Sequence, residues 1–446
     1  MSAPTAAAER PSPPEPELPG VRRLRLGYRW IVCGLLFLAT TINYLDRFML
    51  GVLAPELQGS IGWSDSQYGD INAAFSLAYA IGMLLLGRFI DRVGVKIGYA
   101  VALVAWSLAA AGHALARTAG GFATARFLLG LGEAGNFPAA IKATAEWFPR
   151  RERALAAGIF NAGSNVGAMI APLLAPWIAL NWGWEAAFAA TGLVGILWVV
   201  LWLPLYNAPE RVARVSREEL DWIRSDPPTA EGRVRWADLF PLRETWAIAV
   251  GRFFTDPIWW FYLVWSGKFL ADRFGVDLKR IGPPLVTIYV MADFGSIAGG
   301  WLSSRLIDQG WSTNAARKTT LLICAACVVP VTFAPLVEDM WTAVFLIGLA
   351  AAAHQGFSAN LYTITSDMFP RSAVGSVIGI GGMAGATGNI LMQTASGRIK
   401  EATGGYLAMF AAAGSVYLLS VLAIHLLVPH LSSAQLGVKE GADDPA

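Results

Sequence analysis

Long apolar stretches recur along the whole chain, and they constrain its fold more than any other feature. A helix needs about 20 apolar residues to cross the roughly 30 Å hydrocarbon core of a bilayer. Stretches of that length predict twelve spans near residues 29–53, 67–89, 97–117, 121–146, 154–178, 185–205, 245–269, 282–304, 318–337, 340–363, 374–397 and 405–428. Because lipid offers no partner to backbone polar groups, we predict an all-α membrane protein.

Composition argues against a soluble enzyme and against a nucleic-acid-binding protein. The chain is 55% hydrophobic and 15% charged, whereas soluble domains usually carry about 25% charged residues. Its net charge of +2 is too small to suggest nucleic acid as a partner. Cys324 and Cys327 have a redox spacing, but they lie in an apolar stretch and favour helix packing. No nucleophile, metal cluster or nucleotide loop is recognisable, so we expect neither catalysis nor a cofactor or metal.

Clusters of basic residues predict the orientation of the chain. Lys and Arg collect in cytoplasmic loops. Such clusters precede the first span and follow the second and the fourth, while the connections at 51–66 and 179–184 contain no Lys or Arg. We therefore expect a cytoplasmic location for the Pro-rich, disordered tail at 1–27, the linker at 206–244 and the tail at 429–446.

An internal repeat divides the chain into two halves. The segment Glu146-Trp-Phe-Pro returns as Asp367-Met-Phe-Pro, an offset of 367 − 146 = 221 residues, and several glycines recur at the same offset. Repeats of this kind are typical of transporters. We predict two copies of a six-helix unit, at 28–205 and 245–428.

The loop after the second span resembles the signature loop of the major facilitator superfamily. In the segment GRFIDRVG at 87–94, Asp91 can face a helix N-terminus or an arginine across the interface between the halves, and Gly94 permits a tight turn. The resemblance implies a gating contact formed by Gly87, Asp91, Arg92, Gly94 and the repeat counterpart Asp308. A basic turn without a gating role is the alternative.

Three further segments resemble a narrower branch of that family. They are NYLDR at 43–47, GLGEAGNFP at 130–138 and WWFYL at 259–263. The first two are similar to the anion:cation symporters, and the third to bacterial hexuronate carriers. The resemblance covers about residues 28–428. It implies a major facilitator fold of about twelve helices in two pseudo-symmetric six-helix halves, a bacterial inner-membrane location, and a small organic anion as substrate.

Four charged residues lie inside predicted spans. Each of Asp46, Arg47, Arg126 and Glu133 costs about 2.5–3.5 kcal/mol at mid-bilayer, which architecture alone would rarely justify. Arg126 and Glu133 share one helix face, as do Asn43 and Arg47. If the first and fourth helices line one cavity, as the resemblance implies, two cations and two acids meet there. For each of them, a salt bridge that only ties helices together is the alternative.

Polar and aromatic residues in the spans are candidate ligands for a sugar. Their side chains can bond hydroxyl groups or stack on a sugar ring, with interhelical hydrogen bonding as the alternative. The candidates are Tyr44, Tyr79, Asn161, Ser164, Asn165, Trp259, Trp260, His354, Gln355, Asn360, Asn389 and Gln393. Pro257 suggests a broken seventh helix. The C-terminal half offers no basic residue that we expect at the depth of Arg47.

These residues favour proton-coupled import of a sugar acid by a monomer in the bilayer. Arg47, with Arg126, would hold the carboxylate in a bidentate fork. Asp46 and Glu133 would be protonated first, and loss of the proton would let Asp46 recapture Arg47. The one-sided charge favours a monocarboxylate such as glucuronate or galacturonate. Galactonate or another organic anion, anion exchange or efflux, and a sensor that binds without transport remain alternatives.

Overall fold

The protein is described by a computed structural model at residues 27–225, 236–432 and 434. Most of the predicted tails at 1–27 and 429–446, and the middle of the predicted linker at 206–244, lie outside these residues. Within them the chain forms helices, short 3-10 turns and loops, and no strand. The exact limits of the two predicted halves stay predictions.

The twelve predicted spans each correspond to one helix or to a consecutive pair. In the first half the helices are α1 Tyr28–Ile61, α2 Asp65–Val93, α3 Val95–Gly112, α4 Ala119–Glu133, α5 Asn136–Trp147, α6 Arg150–Trp182 and α7 Trp184–Leu205. Two short helices follow, α8 Arg217–Ile223 and α9 Trp236–Leu239. In the second half they are α10 Arg243–Phe274, α11 Gly282–Asp308, α12 Thr313–Val328, α13 Met340–Met368, α14 Arg371–Thr403 and α15 Leu407–Leu427.

Apolarity and length qualify most of these helices to cross a membrane. Nine helices in the described part of the chain are long and apolar enough, and the bent α2 makes a tenth. The other two predicted spans correspond to α4 with α5, which are short individually, and to α10, whose charged residues lower its apolarity. The prediction of an all-α membrane fold in two six-helix halves is confirmed.

The fourth predicted span is broken at its centre, which the sequence analysis did not predict. The α4 helix ends at Glu133 and α5 begins at Asn136. Just before the break, α4 packs so closely on α2 that a Cβ added to Gly130 would lie 2.4 Å from the carbonyl oxygen of Phe75. Glycine permits this approach, and it places Glu133 at the break, deep in the first half.

The seventh helix, by contrast, is continuous, so the predicted break at Pro257 is wrong. Proline cannot donate to the carbonyl of residue 253. That carbonyl instead faces Gly388 of α14, where an added Cβ would lie 2.5 Å from it. Close packing of α14 against this turn keeps α10 intact from Arg243 to Phe274.

The two halves meet along three helix pairs, α2 with α14, α1 with α10, and α6 with α11. Contact is tight where α2 begins. A Cβ on Gly69 would lie 2.5 Å from the carbonyl oxygen of Gln393, and one on Gly397 would lie 2.3 Å from that of Asp65. We call this end of the bundle, which carries the α1–α2 connection, the first-loop end, and the opposite end the N-terminal end.

Candidate functional site

An ion pair between α1 and α4 forms the centre of the first half. Arg47 Nε lies 2.8 Å from Oε2 of Glu133, and Arg47 Nη2 donates to Oδ1 of Asn43 at 3.0 Å. The side chains of Arg47 and Glu133 are 2% and 0% exposed. The first and fourth spans therefore bring these predicted residues together. A buried pair of this kind loses several kcal/mol when one partner is removed.

Four aromatic rings surround the guanidinium of Arg47. Its central carbon lies 4.6 Å from the ring centroid of Tyr44, 4.9 Å from Tyr79, 5.2 Å from Trp260 and 5.3 Å from Phe75. We call these rings the Arg47 cage. Trp260 belongs to α10 of the other half, so the cage spans the interface. Sequence reasoning missed Phe75, although it lies one helical turn before Tyr79 on the same face of α2.

Arg126 lies beside this pair, and two of its guanidinium nitrogens form no hydrogen bond with the described residues. Its Nη2 donates to the backbone oxygen of Arg47 at 3.1 Å and to Oδ1 of Asn72 at 3.3 Å. Its Nε and Nη1, and Oε1 of Glu133, have no hydrogen-bond partner among the described residues. Asn72 was not predicted, although its position three residues before Phe75 on the same face of α2 is a usable signal. Open donors on a buried guanidinium are suited to binding an anion.

Asp46 is buried, but it does not face Arg47. Neither of its carboxylate oxygens accepts a hydrogen bond of normal geometry from the described residues. The hydroxyl of Thr191 beside it donates to the carbonyl oxygen of Phe188 at 3.2 Å. The expectation that Asp46 pairs with Arg47 is wrong for this conformation, in which Glu133 is the partner. The reason is geometric, because consecutive helix residues do not face the same neighbour.

The polar residues predicted on α6 form no hydrogen bond with another helix in the described part of the chain. Ser164 Oγ donates to the backbone oxygen of Asn161 at 2.6 Å and contacts Oδ1 of Asn165 at 3.3 Å, all within α6. Gln355 of α13 is half-buried and forms no hydrogen bond with the described residues. A ligand role for these four residues stays a prediction.

Three other candidates, His354, Asn360 and Trp259, contact neighbouring helices. His354 Nδ1 lies 2.6 Å from the hydroxyl of Tyr417 on α15, and its ring stacks on Trp259 at 5.2 Å. Asn360 donates to the backbone oxygen of Gly299 at 2.9 Å. These contacts fit the alternative of interhelical hydrogen bonding. The adjacent residues Trp259 and Trp260 therefore have different neighbours. Trp260 belongs to the Arg47 cage, whereas Trp259 packs inside the second half.

Asn389 and Gln393 form a chain of hydrogen bonds between the halves. Asn389 Nδ2 donates to Ser76 Oγ at 2.7 Å, Gln393 Nε2 donates to Asn389 Oδ1 at 3.1 Å, and Trp265 Nε1 donates to Gln393 Oε1 at 3.0 Å. Their polar groups are therefore used in joining α2, α10 and α14.

Four charges close the first-loop end. Lys268 lies 2.9 Å from Asp65 and 3.2 Å from Asp272, while Lys400 lies 3.2 Å from Asp65 and 2.7 Å from Asp272. We call these residues the four-charge cluster; the hydroxyl of Tyr406 also donates to Asp272 at 2.7 Å. The sequence analysis missed it, although Lys268 lies inside a predicted span. The described cross-half hydrogen bonds and ion pairs all lie between the first-loop end and Ser76.

The predicted gating loop lies at the other end, and one of its predicted contacts is wrong. Gly94 has φ of +82°, which confirms the tight turn between α2 and α3. Asp91, however, pairs with Lys142 of α5 in its own half at 2.9 Å, because α5 packs against α2. A gating role for Gly87, Arg92 and Asp308 stays a prediction; all three are exposed or at a surface.

Twelve spans in two halves around a buried charged site define a membrane transporter. The sequence profile of the Major Facilitator Superfamily matches residues 36–392, and the chain belongs to this family. It is a multi-pass membrane transporter and not an enzyme.

Known relatives and a solved structure agree with this assignment. The chain is 32% identical over 428 residues to the hexuronate transporter of Escherichia coli (strain K12), covering 94% of this chain and 98% of that protein. It is 36% identical over 282 residues to the galacturonate transporter of Dickeya chrysanthemi, covering 62% and 81%. A bacterial homolog of the human lysosomal transporter Spinster, inward-facing and unoccupied, shares the fold with a TM-score of 0.71, 21% identity and coverage of 90% and 96%.

Proposed function

We propose that the protein imports a small sugar-acid anion, such as glucuronate or galacturonate, together with protons across the bacterial inner membrane. It would act as a monomer with both termini in the cytoplasm. One observation carries the proposal, the buried Arg47–Glu133 pair inside a cage of aromatic rings. The relatives named for hexuronate and galacturonate transport support it.

The cage has the chemistry that a sugar acid needs. A carboxylate forms its strongest contacts with a guanidinium, which Arg47 and the open donors of Arg126 supply. The apolar faces of a sugar ring pack against aromatic rings, here Tyr79 and Trp260. Hydroxyl groups need amides, which Asn165 and Gln355 can offer. A neutral sugar would leave the cations without a partner.

Competition for Arg47 would couple the anion to protons. While Glu133 is ionised it occupies Arg47, and an incoming carboxylate would meet both a satisfied cation and a repelling charge. Protonation of Glu133 would release Arg47 for the substrate, and loss of that proton would expel it. Asp46 is a second proton site in this scheme, because a charge buried without a partner costs several kcal/mol. Glu133 thus takes the role that the sequence analysis gave to Asp46.

Transport would require the two halves to rock around this site. In the proposed orientation the first-loop end is periplasmic. The ion pairs of Asp65 with Lys268 and Lys400, and the hydrogen bond of Asn389 with Ser76, would separate when the site opens to the periplasm. They would form again before release to the cytoplasm. Gly87, Asp91, Arg92, Gly94 and Asp308 would act at the cytoplasmic end during the same cycle.

Uptake by purified protein in pH-clamped proteoliposomes tests this proposal. We expect accumulation of labelled glucuronate driven by an inward proton gradient, with glucuronate and galacturonate competing better than galactonate, and glucose inert. Inhibition by glucose, or by succinate in preference to both hexuronates, would refute the substrate. Counterflow without uphill accumulation would indicate an exchanger, and binding without any flux would indicate a sensor.

A further inference from the structure

A second arginine lies in a recess of the C-terminal half. The recess is formed between α10, α13 and α14, and its polar lining consists of Arg252, Ser358, Tyr362 and Thr365. Ile248 and Ile378 supply apolar walls. The combination of one cation, hydroxyl groups and apolar surface is the kind of lining that a sugar acid requires.

Arg252 is held by its own helix and by α14, and it remains partly exposed. Its Nε donates to Oδ2 of Asp256 at 2.9 Å, one turn along α10, and its Nη1 donates to the backbone oxygen of Ile378 at 3.2 Å. The guanidinium lies 5.2 Å from the ring centroid of Tyr362. The side chains of Arg252 and Asp256 are 16% and 18% exposed, so both charges are partly accessible from the surface of the recess.

The recess lies near the Arg47 cage. Tyr362 is 40% exposed, and its hydroxyl group is close enough to Tyr79 and Tyr44 for their charges to influence one another. Tyr44 and Tyr79 belong to the cage in the other half. The recess therefore lies on the side of the C-terminal half that is nearest to the cage.

The recess lies closer to the N-terminal end than the cage does. Arg47 is 47 − 28 = 19 residues from the start of α1, and Arg252 is 252 − 243 = 9 residues from the start of α10. At 1.5 Å per residue these counts correspond to depths of roughly 28 Å and roughly 14 Å. In the proposed orientation an anion that leaves Arg47 for the cytoplasm passes Arg252.

We propose that this recess is a second carboxylate site, which receives the sugar acid after it leaves Arg47 and before it reaches the cytoplasm. The inference rests on the proposed function. Asp256 is the competitor at this site, because it already occupies part of the Arg252 fork. Competition keeps the affinity low, which suits a site from which the substrate must depart.

Two variants of this pair should shift the affinity in opposite directions. Arg252→Gln removes the fork and should raise the cytoplasmic-face KM for glucuronate at least tenfold, since one charge-assisted hydrogen bond contributes about 1.5–3 kcal/mol. Asp256→Asn removes the competing charge and should lower that KM while slowing turnover. Both should leave the periplasmic-face KM within about twofold, because the Arg47 cage is intact.

Counterflow in right-side-out and inside-out membrane vesicles measures the two KM values separately. Arg117→Gln is the matched control, because Arg117 forms an exposed pair with Glu185 within the first half; it should change neither value. Arg252→Lys keeps the charge, so its cytoplasmic-face KM should lie between the values of wild type and Arg252→Gln. An intermediate value would show that the rise in KM does not result from a failure to fold.

The outcomes separate this inference from the proposed function. If the wild type moves no sugar acid, the proposed function and the second site both fail. If the wild type moves it and Arg252→Gln leaves both KM values unchanged, only the second site is refuted. A parallel rise of both KM values in Arg252→Gln and Asp256→Asn would show a purely structural pair, and it would also refute the second site.

Discussion

The two halves of this transporter each hold an arginine–acid pair, but the pairs are built differently. Arg47 and Glu133 lie on different helices and are 2% and 0% exposed. Arg252 and Asp256 lie one turn apart on the same helix and are 16% and 18% exposed. A pair between two helices ties the charge state to helix arrangement, whereas a pair within one helix affects mainly the ligand beside it.

The repeat makes this difference informative. The counterpart of Glu133 in the second half is position 133 + 221 = 354, where the chain has a histidine packed between Trp259 and Tyr417. The same place in a repeated scaffold therefore carries an acid in one half and an internal packing residue in the other. We therefore expect the first half to couple transport to protons and the second half to control the release of substrate.

The largest expected effect is that of Arg47→Ala. It removes the cation that binds the carboxylate and leaves Glu133 as a buried charge without a partner, so affinity should fall at least about a hundredfold. Arg47→Lys should not restore it, because a point charge lacks the planar fork. Isothermal titration calorimetry of detergent-purified variants measures the affinity for the sugar acid. Normal affinity in Arg47→Lys would show that the fork geometry is irrelevant.

Replacing the two acids sharpens the comparison directly. Glu133→Gln should abolish accumulation against a gradient while exchange persists, since an amide mimics the protonated acid but cannot release a proton. Asp46→Asn should act in the same direction. Asp256→Asn, the matched variant of the second half, should still accumulate substrate. Proton-driven uptake and counterflow in one proteoliposome preparation measure both activities, and wild-type coupling in Glu133→Gln would exclude it as the coupling residue.

The adjacent tryptophans provide an intermediate test. Trp260→Ala removes one ring of the Arg47 cage and should raise KM by roughly 2- to 30-fold, the range of a cation–π contact of about 0.5–2 kcal/mol. Trp259→Ala leaves the cage intact but removes the ring against which His354 packs. It should lower the thermal unfolding temperature, and its KM should change less than that of Trp260→Ala. Equal KM changes in both variants would contradict the separation of these side chains.

The smallest effect is expected from Asp91→Asn. Its carboxylate is 72% exposed and pairs with Lys142 of the same half, and such exposed pairs contribute about 0–1 kcal/mol. Turnover should stay within about threefold of wild type if this pair is only local. A loss of most transport activity, with normal folding by size-exclusion chromatography, would instead support a gating contact that forms in another state of the cycle.

The sequence by itself determined the helical membrane fold, its internal repeat and the presence of a charged site on the first and fourth spans. These features depend on residues that are close along the chain: the length of an apolar stretch, the recurrence of a motif, or a charge placed where lipid penalises it. The residues Asn43, Arg47, Arg126 and Glu133 could be found in this way because each is anomalous in its own segment.

The tertiary structure alone decided which of these residues meet. Glu133 rather than Asp46 faces Arg47, Trp260 rather than Trp259 enters the cage, and α10 stays intact at Pro257 because α14 packs against that turn. Lys268 joins Asp65 from a helix some 200 residues away along the chain. Such choices depend on the rotation and crossing of packed helices, and they therefore depend on contacts between distant segments, which no local pattern encodes.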